Sequence, residues 1–139
     1  MNPVRVLVTG AGSGVGQGII KSLKICNYPV KIITADISPF NAALYRSDEA
    51  IIIPKVEELN ALPLIIKLIK ESKIDVVMIG SEFDLVFFSE NQEKIFMETG
   101  AVVIVSPIST ISIADDKWLT AEFLKNNNLP YAESFISDS

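Results

Sequence analysis

Histidine is absent from the 139 residues, and cysteine occurs once, as Cys26. The first absence removes Ser-His-Asp and Cys-His nucleophile systems, histidine acid–base work and the usual zinc sites. The second excludes an internal disulfide, makes a poor start for a metal site and suits a reducing compartment. Long apolar runs are also missing. None approaches the ~18 residues of a membrane span, and a strand pattern starts almost at once, where a signal peptide would need a charged start and an apolar stretch. No membrane partner and a cytoplasmic location are therefore expected. Basic clusters are lacking too: 12 Lys and Arg face 17 Asp and Glu, so nucleic acid is not an expected partner.

What is present is a core. Apolar residues make up 49% of the chain, and a domain of this length buries roughly 68–70% of the surface its unfolded chain exposes. The runs VRVLVTG (4–10), VKIITAD (30–36), AIIIP (50–54), DVVMIG (75–80) and VVIVS (102–106) are rich in Val and Ile. They are continuous rather than alternating, which marks parallel strands covered on both faces. Between them, Val15, Ile19, Ile20 and Leu23 share one helical face, and Leu64, Ile65, Leu68 and Ile69 share another. Leu85 to Gly100 reads as a third helix, with Ser81 and Asp84 as its capping box. The link 37–49 has room for a short helix around Ala42 to Tyr45. This alternation predicts an α/β, Rossmann-like, doubly wound five-stranded parallel sheet of order 3-2-1-4-5 in three layers, α/β/α.

In such a sheet ligands sit beyond the carboxyl ends of the strands, where the order reverses. That crevice would lie between the glycine-rich loop Gly10 to Gly16 and the loop Gly80 to Asp84. Glycines let backbone approach a ligand closely, and the first N–H groups of the following helix favour an anion. Three uses stay open: a dinucleotide cradle, a cradle for another ligand, or a tight turn. A strict G-x-G-x-x-G fails in every register. The looser T-G-x-x-x-G-x-G of short-chain dehydrogenases is met by Thr9, Gly10, Gly14 and Gly16, with Asp36 placed to take a ribose diol or to cap the next turn. An NAD(P)-binding domain is thus one alternative, although no N-A-G follows strand four and no tyrosine has a lysine four residues on. A self-standing binding module is another.

The stretch IADDKWLTAEFLKNNNLPYAESF (113–135) reads as a helix from Lys117 to about Asn126. Asp115 or Asp116 can cap its start, Asn127 or Asn128 can take the left-handed conformation at its end, and Pro130 blocks continuation. Asp116, Lys117, Thr120, Phe123, Leu124, Leu129 and Pro130 form a D-K-x-x-T-x-x-F-L-x-x-x-x-L-P pattern. That pattern resembles the entry into the ATP-grasp domain of carbamoyl-phosphate synthase large-subunit-like proteins. The family's usual glycine before the hydrophobic-Pro pair is Asn128 here, which tolerates positive φ. The segments VLVTGAGSGVGQGIIKSLK, ADISPFNAALYRSDEAIIIP, IDVVMIGSEFDL and SPISTISIADDK also resemble that family's first domain, so the likeness runs from about residue 4 to 135.

The resemblance implies a pre-ATP-grasp domain over 1–114 and the start of an ATP-grasp domain over 115–139. It implies that the chain is the non-catalytic part of a longer ATP-dependent ligase that uses ATP and Mg2+. The remainder of the ATP-grasp module and a small carboxylate or amine substrate would be its partners, and a homodimer is compatible. On this basis the crevice would hold the substrate through Gly10, Gly12, Ser13, Gly14 and Val15, with Asp36 beside them and Ser81, Glu82 and Asp84 opposite. Glu82 could orient an amine or simply open a helix in solvent. Gly14 is expected to allow close backbone approach and positive φ. Trp118, Leu119 and Phe123 are expected to pack, as are Phe83, Phe87 and Phe88 on the sheet, while Lys117 faces solvent.

Overall fold

The computed structural model describes residues 2–136. They form two compact units, one ending at Val105 and one starting at Ser106. The first contains β1 (Val4–Val8), α1 (Gly14–Ile25), β2 (Val30–Asp36), a 3-10 segment (Ala42–Arg46), β3 (Glu49–Ile52), α2 (Ala61–Glu71), β4 (Val76–Met78), α3 (Glu82–Thr99) and β5 (Val102–Ile104). All four strand pairings are parallel and the order is β3-β2-β1-β4-β5, as the alternation of strands and helices predicted. No helix among the described residues is long and apolar enough to cross a membrane.

Side chains alternate along a strand, so β1 feeds two separate cores. Leu7 joins Ile33, Val77 and Val103 under α2 and α3, where Ile65, Ile69, Phe88 and Ile95 close the layer. Val6 and Val8 turn the other way, to Ile32, Ile20 of α1 and Ala43. The central strands are buried on both faces, which is why their sequence is continuously apolar.

Local chemistry sets the element ends. Ser13 Oγ accepts from the Gly16 N–H at 2.8 Å and starts α1, and Asn41 does the same for the 3-10 segment. Gly100, at φ 76°, ends α3 in the left-handed conformation. Several expectations need correction. Helix α3 begins at Glu82 rather than Leu85, because 82–84 already follow the helical path. Ser81 stands at its start but makes no side-chain capping bond, so the capping box is not formed. Val15 is 63% exposed, and Phe83 76%, because both lie in first helical turns that overhang the sheet's end. Leu64 lies on the outer side of α2. Phe87 and Phe88 do pack, edge to face at 5.3 Å.

In the second unit, α4 (Ile108–Asp115) and α5 (Lys117–Asn126) meet at Asp116. The Asp116 carboxylate accepts from the Trp118 and Leu119 N–H groups, at 2.7 and 3.0 Å, which selects it over Asp115 as the cap. Thr120 Oγ1 donates back to the Ile113 carbonyl at 2.7 Å, tying the two helices. Asn128 takes φ 55°, the left-handed residue expected at 127 or 128. Lys117 is exposed, while Trp118 borders a small hollow of about 70 Å³ with Lys125 and Tyr131.

Candidate functional site

Strand order reverses between β1 and β4, so the loops leaving their carboxyl ends form opposite walls of one crevice. Three glycines set how closely those walls meet. Gly10 has φ 51°, and a Cβ there would lie 2.5 Å from Ser81 Cβ. A Cβ on Gly80 would strike the Thr9 carbonyl oxygen and come within 2.7 Å of Gly16 Cα. One on Gly16 would strike the Gly10 carbonyl oxygen. Gly80 therefore matters as much as the glycines of the first loop, and its signal was a glycine straight after the fourth apolar run. Gly14 is different: its φ is not positive and a Cβ would meet nothing within 4 Å, so the fold itself does not demand glycine there.

The first loop spends most of its polar groups on itself. Asp36 Oδ2 accepts from the Gly12 N–H and from Asn41 Nδ2, each at 3.0 Å, and Oδ1 accepts from the Ser38 N–H at 3.1 Å. Ser13 Oγ, besides capping α1, donates to the Gly80 carbonyl. The Ala11 and Ser13 N–H groups go to the Ala35 and Gly10 carbonyls, at 3.1 and 3.0 Å. Asp36 is thus a staple between the glycine loop and the chain after β2. The Gly12 N–H, which a dinucleotide cradle would aim at a phosphate, is aimed at that staple. The ribose-binding role considered for Asp36 is correspondingly disfavoured.

Between the two loops lies a cleft of about 580 Å³. Of the residues singled out in the sequence, Gly10, Ser13, Asp36, Ser81 and Asp84 line it. Gly12, Gly14, Val15 and Glu82 do not, although Gly12 is on the first loop and the other three open the helices that follow the two loops. Lys55, Val56 and Glu57, from the segment after β3, also line the cleft and escaped sequence reasoning. Nothing in KVEELN marks them, because only the β3-β2-β1 order carries that segment to the crevice. Ile37, Ile53 and Phe83 complete its apolar wall.

Asp84 is the carboxylate inside this wall, with only 9% of its surface exposed. Burial pushes its pKa above the ordinary value of 3.8, the nearby Thr9 hydroxyl opposes that rise, and the charges of Glu57 and Asp36 add to it. Thr9 Oγ1 is itself fully buried and makes no hydrogen bond of ordinary geometry, so it relieves Asp84 only at longer range. Among the described residues no group of three or more His, Cys, Asp or Glu side chains is arranged to hold a metal. A cleft whose charged lining is three carboxylates and one exposed lysine, beside a glycine loop whose Gly12 N–H is bonded to Asp36, does not fit Mg-ATP.

Fold and cleft define a doubly wound α/β domain with a ligand-sized crevice at its switch point. Residues 6–104 match the family described as PylC-like, N-terminal domain, and the chain belongs to that family. No curated protein matches the sequence. Solved structures share the fold. N5-carboxyaminoimidazole synthetase from Staphylococcus aureus, complexed with ADP, superposes with TM-score 0.63 at 18% identity, over 91% of this chain and 31% of its own. The biotin carboxylase domain of Hydrogenobacter thermophilus 2-oxoglutarate carboxylase gives 0.60 at 20%, over 94% and 28%. The L-amino acid ligase from Bacillus licheniformis gives 0.62 at 15%, over 94% and 32%. This chain thus spans under a third of each solved protein, and these matches show a shared fold.

Proposed function

We propose that this chain is the substrate-side N-terminal domain of an ATP-dependent carboxylate–amine ligase or related carboxylase, with the nucleotide held by a module outside these residues. The carrying observation is the PylC-like N-terminal match over 6–104. Complexes of its structural neighbours with ADP, and with MgADP and bicarbonate, support ATP and Mg2+ as cofactors of the whole protein. In this scheme a carboxylate oxygen attacks the terminal phosphate, ADP departs, and an amine then displaces phosphate from the acyl phosphate. The cleft between the Gly10 and Ser81 loops holds the substrate that is not the nucleotide. Residues 1–114 are the pre-ATP-grasp domain and 115–139 open the next module, whose capped α5 carries the carbamoyl-phosphate-synthase-like signature. We place the protein in the cytoplasm, as a monomer or homodimer.

Calorimetry of the 139-residue chain with Mg-ATP tests this division of labour. No ATP hydrolysis and an affinity well weaker than micromolar are expected. Micromolar affinity, about −8 kcal/mol, would place the nucleotide on this domain and overturn the reading.

A further inference from the structure

Three carboxylates line the cleft, and their circumstances differ. Asp36 already accepts three hydrogen bonds. Glu57 is exposed at the mouth. Asp84 is nine-tenths buried and faces the cleft, and no lysine or arginine among the described residues pairs with it. The Thr9 hydroxyl beside it is buried without a regular bond of its own. A buried, unpaired carboxylate opposes folding, so its place in a cleft makes sense where a ligand supplies the missing positive charge. Lys55, the one basic residue of the lining, is exposed and does not fill that role. Ser13 and Ser81 also line the cleft, and its apolar members include Ile37 and Phe83, which offer a surface for a hydrocarbon chain.

We propose that Asp84 is a specificity residue that pairs with the protonated amine of an aliphatic ligand, whose alkyl part lies against Ile37 and Phe83. Asp36 and Glu57 add long-range attraction for the cation and repel an anion. The proposal rests on the substrate-side reading above and sharpens it: of the two substrates of a carboxylate–amine ligase, this cleft takes the amine. Glu82, the acidic residue that looked better placed in sequence, lies outside the lining.

The test is a nuclear magnetic resonance titration of the isotope-labelled 139-residue chain with butylammonium and, separately, with butyrate of matched size. Butylammonium is expected to shift the amide signals of Gly10, Ser81 and Phe83, while butyrate leaves them in place. Asp84→Asn should weaken butylammonium at least about tenfold while melting no lower than the parent. Butyrate binding as well as butylammonium, an Asp84→Asn affinity within about twofold of the parent, or no binding of either up to about 50 mM would each overturn the proposal. If Asp84→Asn failed to fold, the cation–anion comparison on the parent chain would still decide. Since no nucleotide is present, failure here leaves the Mg-ATP calorimetry untouched, and the two readings fail separately.

Discussion

The loop after β1 and the loop after β4 border the same cleft and handle their polar groups in opposite ways. The first is closed on itself: Asp36 collects the Gly12, Ser38 and Asn41 donors, and Ser13 bridges the start of α1 and the Gly80 carbonyl. The second leaves the Ser81 hydroxyl out of capping and turns Asp84 inward without a charged partner. A wall whose groups are satisfied gives shape, whereas a wall with an unsatisfied group gives recognition. On the proposal above, the glycine-rich motif is the former in this cleft and the start of α3 is the latter.

The largest way to break this contrast is to force the walls apart. Gly80→Ala would drive a methyl group into the Thr9 carbonyl oxygen, with backbone on both sides and no flexible side chain to yield. A loss of about 3 kcal/mol or more in urea unfolding is expected; a loss below about 1 kcal/mol would mean the loops do not cross so tightly. Next comes the staple. Asp36→Ala removes the acceptor from three donors, and about 2–4 kcal/mol should be lost, with faster amide exchange at Gly12 as the local signature.

Asp84→Asn should act with the opposite sign. Its folded pKa is raised above the ordinary 3.8 by burial first, so the folded state holds its proton more tightly than the unfolded chain. That contribution to stability is fully present below the unfolded value and is lost as pH rises through the folded one. The variant should therefore match the parent at acid pH and become the more stable protein as pH rises from about 4 towards neutrality. Melting curves across that range check it, and a variant less stable at neutral pH would show that Asp84 is structurally paired. The smallest effect is expected at Gly14. Gly14→Val meets open space, so stability should change by less than about 1 kcal/mol. Because Gly14 stands outside the cleft lining, kcat/KM of the whole enzyme for either substrate should stay within about twofold of the parent; a larger fall for the substrate that is not ATP would bring the first loop into the site.

At the far end of the sheet a third carboxylate shows what a satisfied acid looks like. Glu49, first in β3, bonds Lys31 and, at 2.9 Å, Arg5. The Lys31 bond, more than any other cause, holds its pKa below the ordinary 4.5. Its partly exposed setting makes Glu49→Gln a mild change that about 0.5 M salt should erase.

How far the sequence could be read follows from which forces are local. Uninterrupted Val and Ile runs between amphipathic stretches point to a parallel sheet with helices on both faces, and 3-2-1-4-5 is one of the orders that crossover rules allow. Caps are local too: Asp116 and Asn128 act through their nearest neighbours, each one of two adjacent residues that the sequence offered, whereas the expected Ser81 box did not form. The cleft lining obeyed no local rule. Glu82 and Asp84 are two residues apart, about 200° around a helix, so one can enter the cleft only if the other leaves it. Which one enters depends on where α3 starts and on how Phe88 and Ile95 seat it on the sheet. With a start at Leu85 both acids would have belonged to a loop; with the start at Glu82 the helix phase is fixed, and Asp84 is the one turned in. Lys55 and Glu57 reach the same cleft because β3 pairs beside β2, although they lie far along the chain from the glycine loop. The sequence by itself determined the sheet and narrowed each cap of α5 to two neighbouring residues, because those depend on period and nearest neighbours. Only the tertiary structure decided which carboxylate is buried without a partner, because burial is set by packing between segments far apart in the chain.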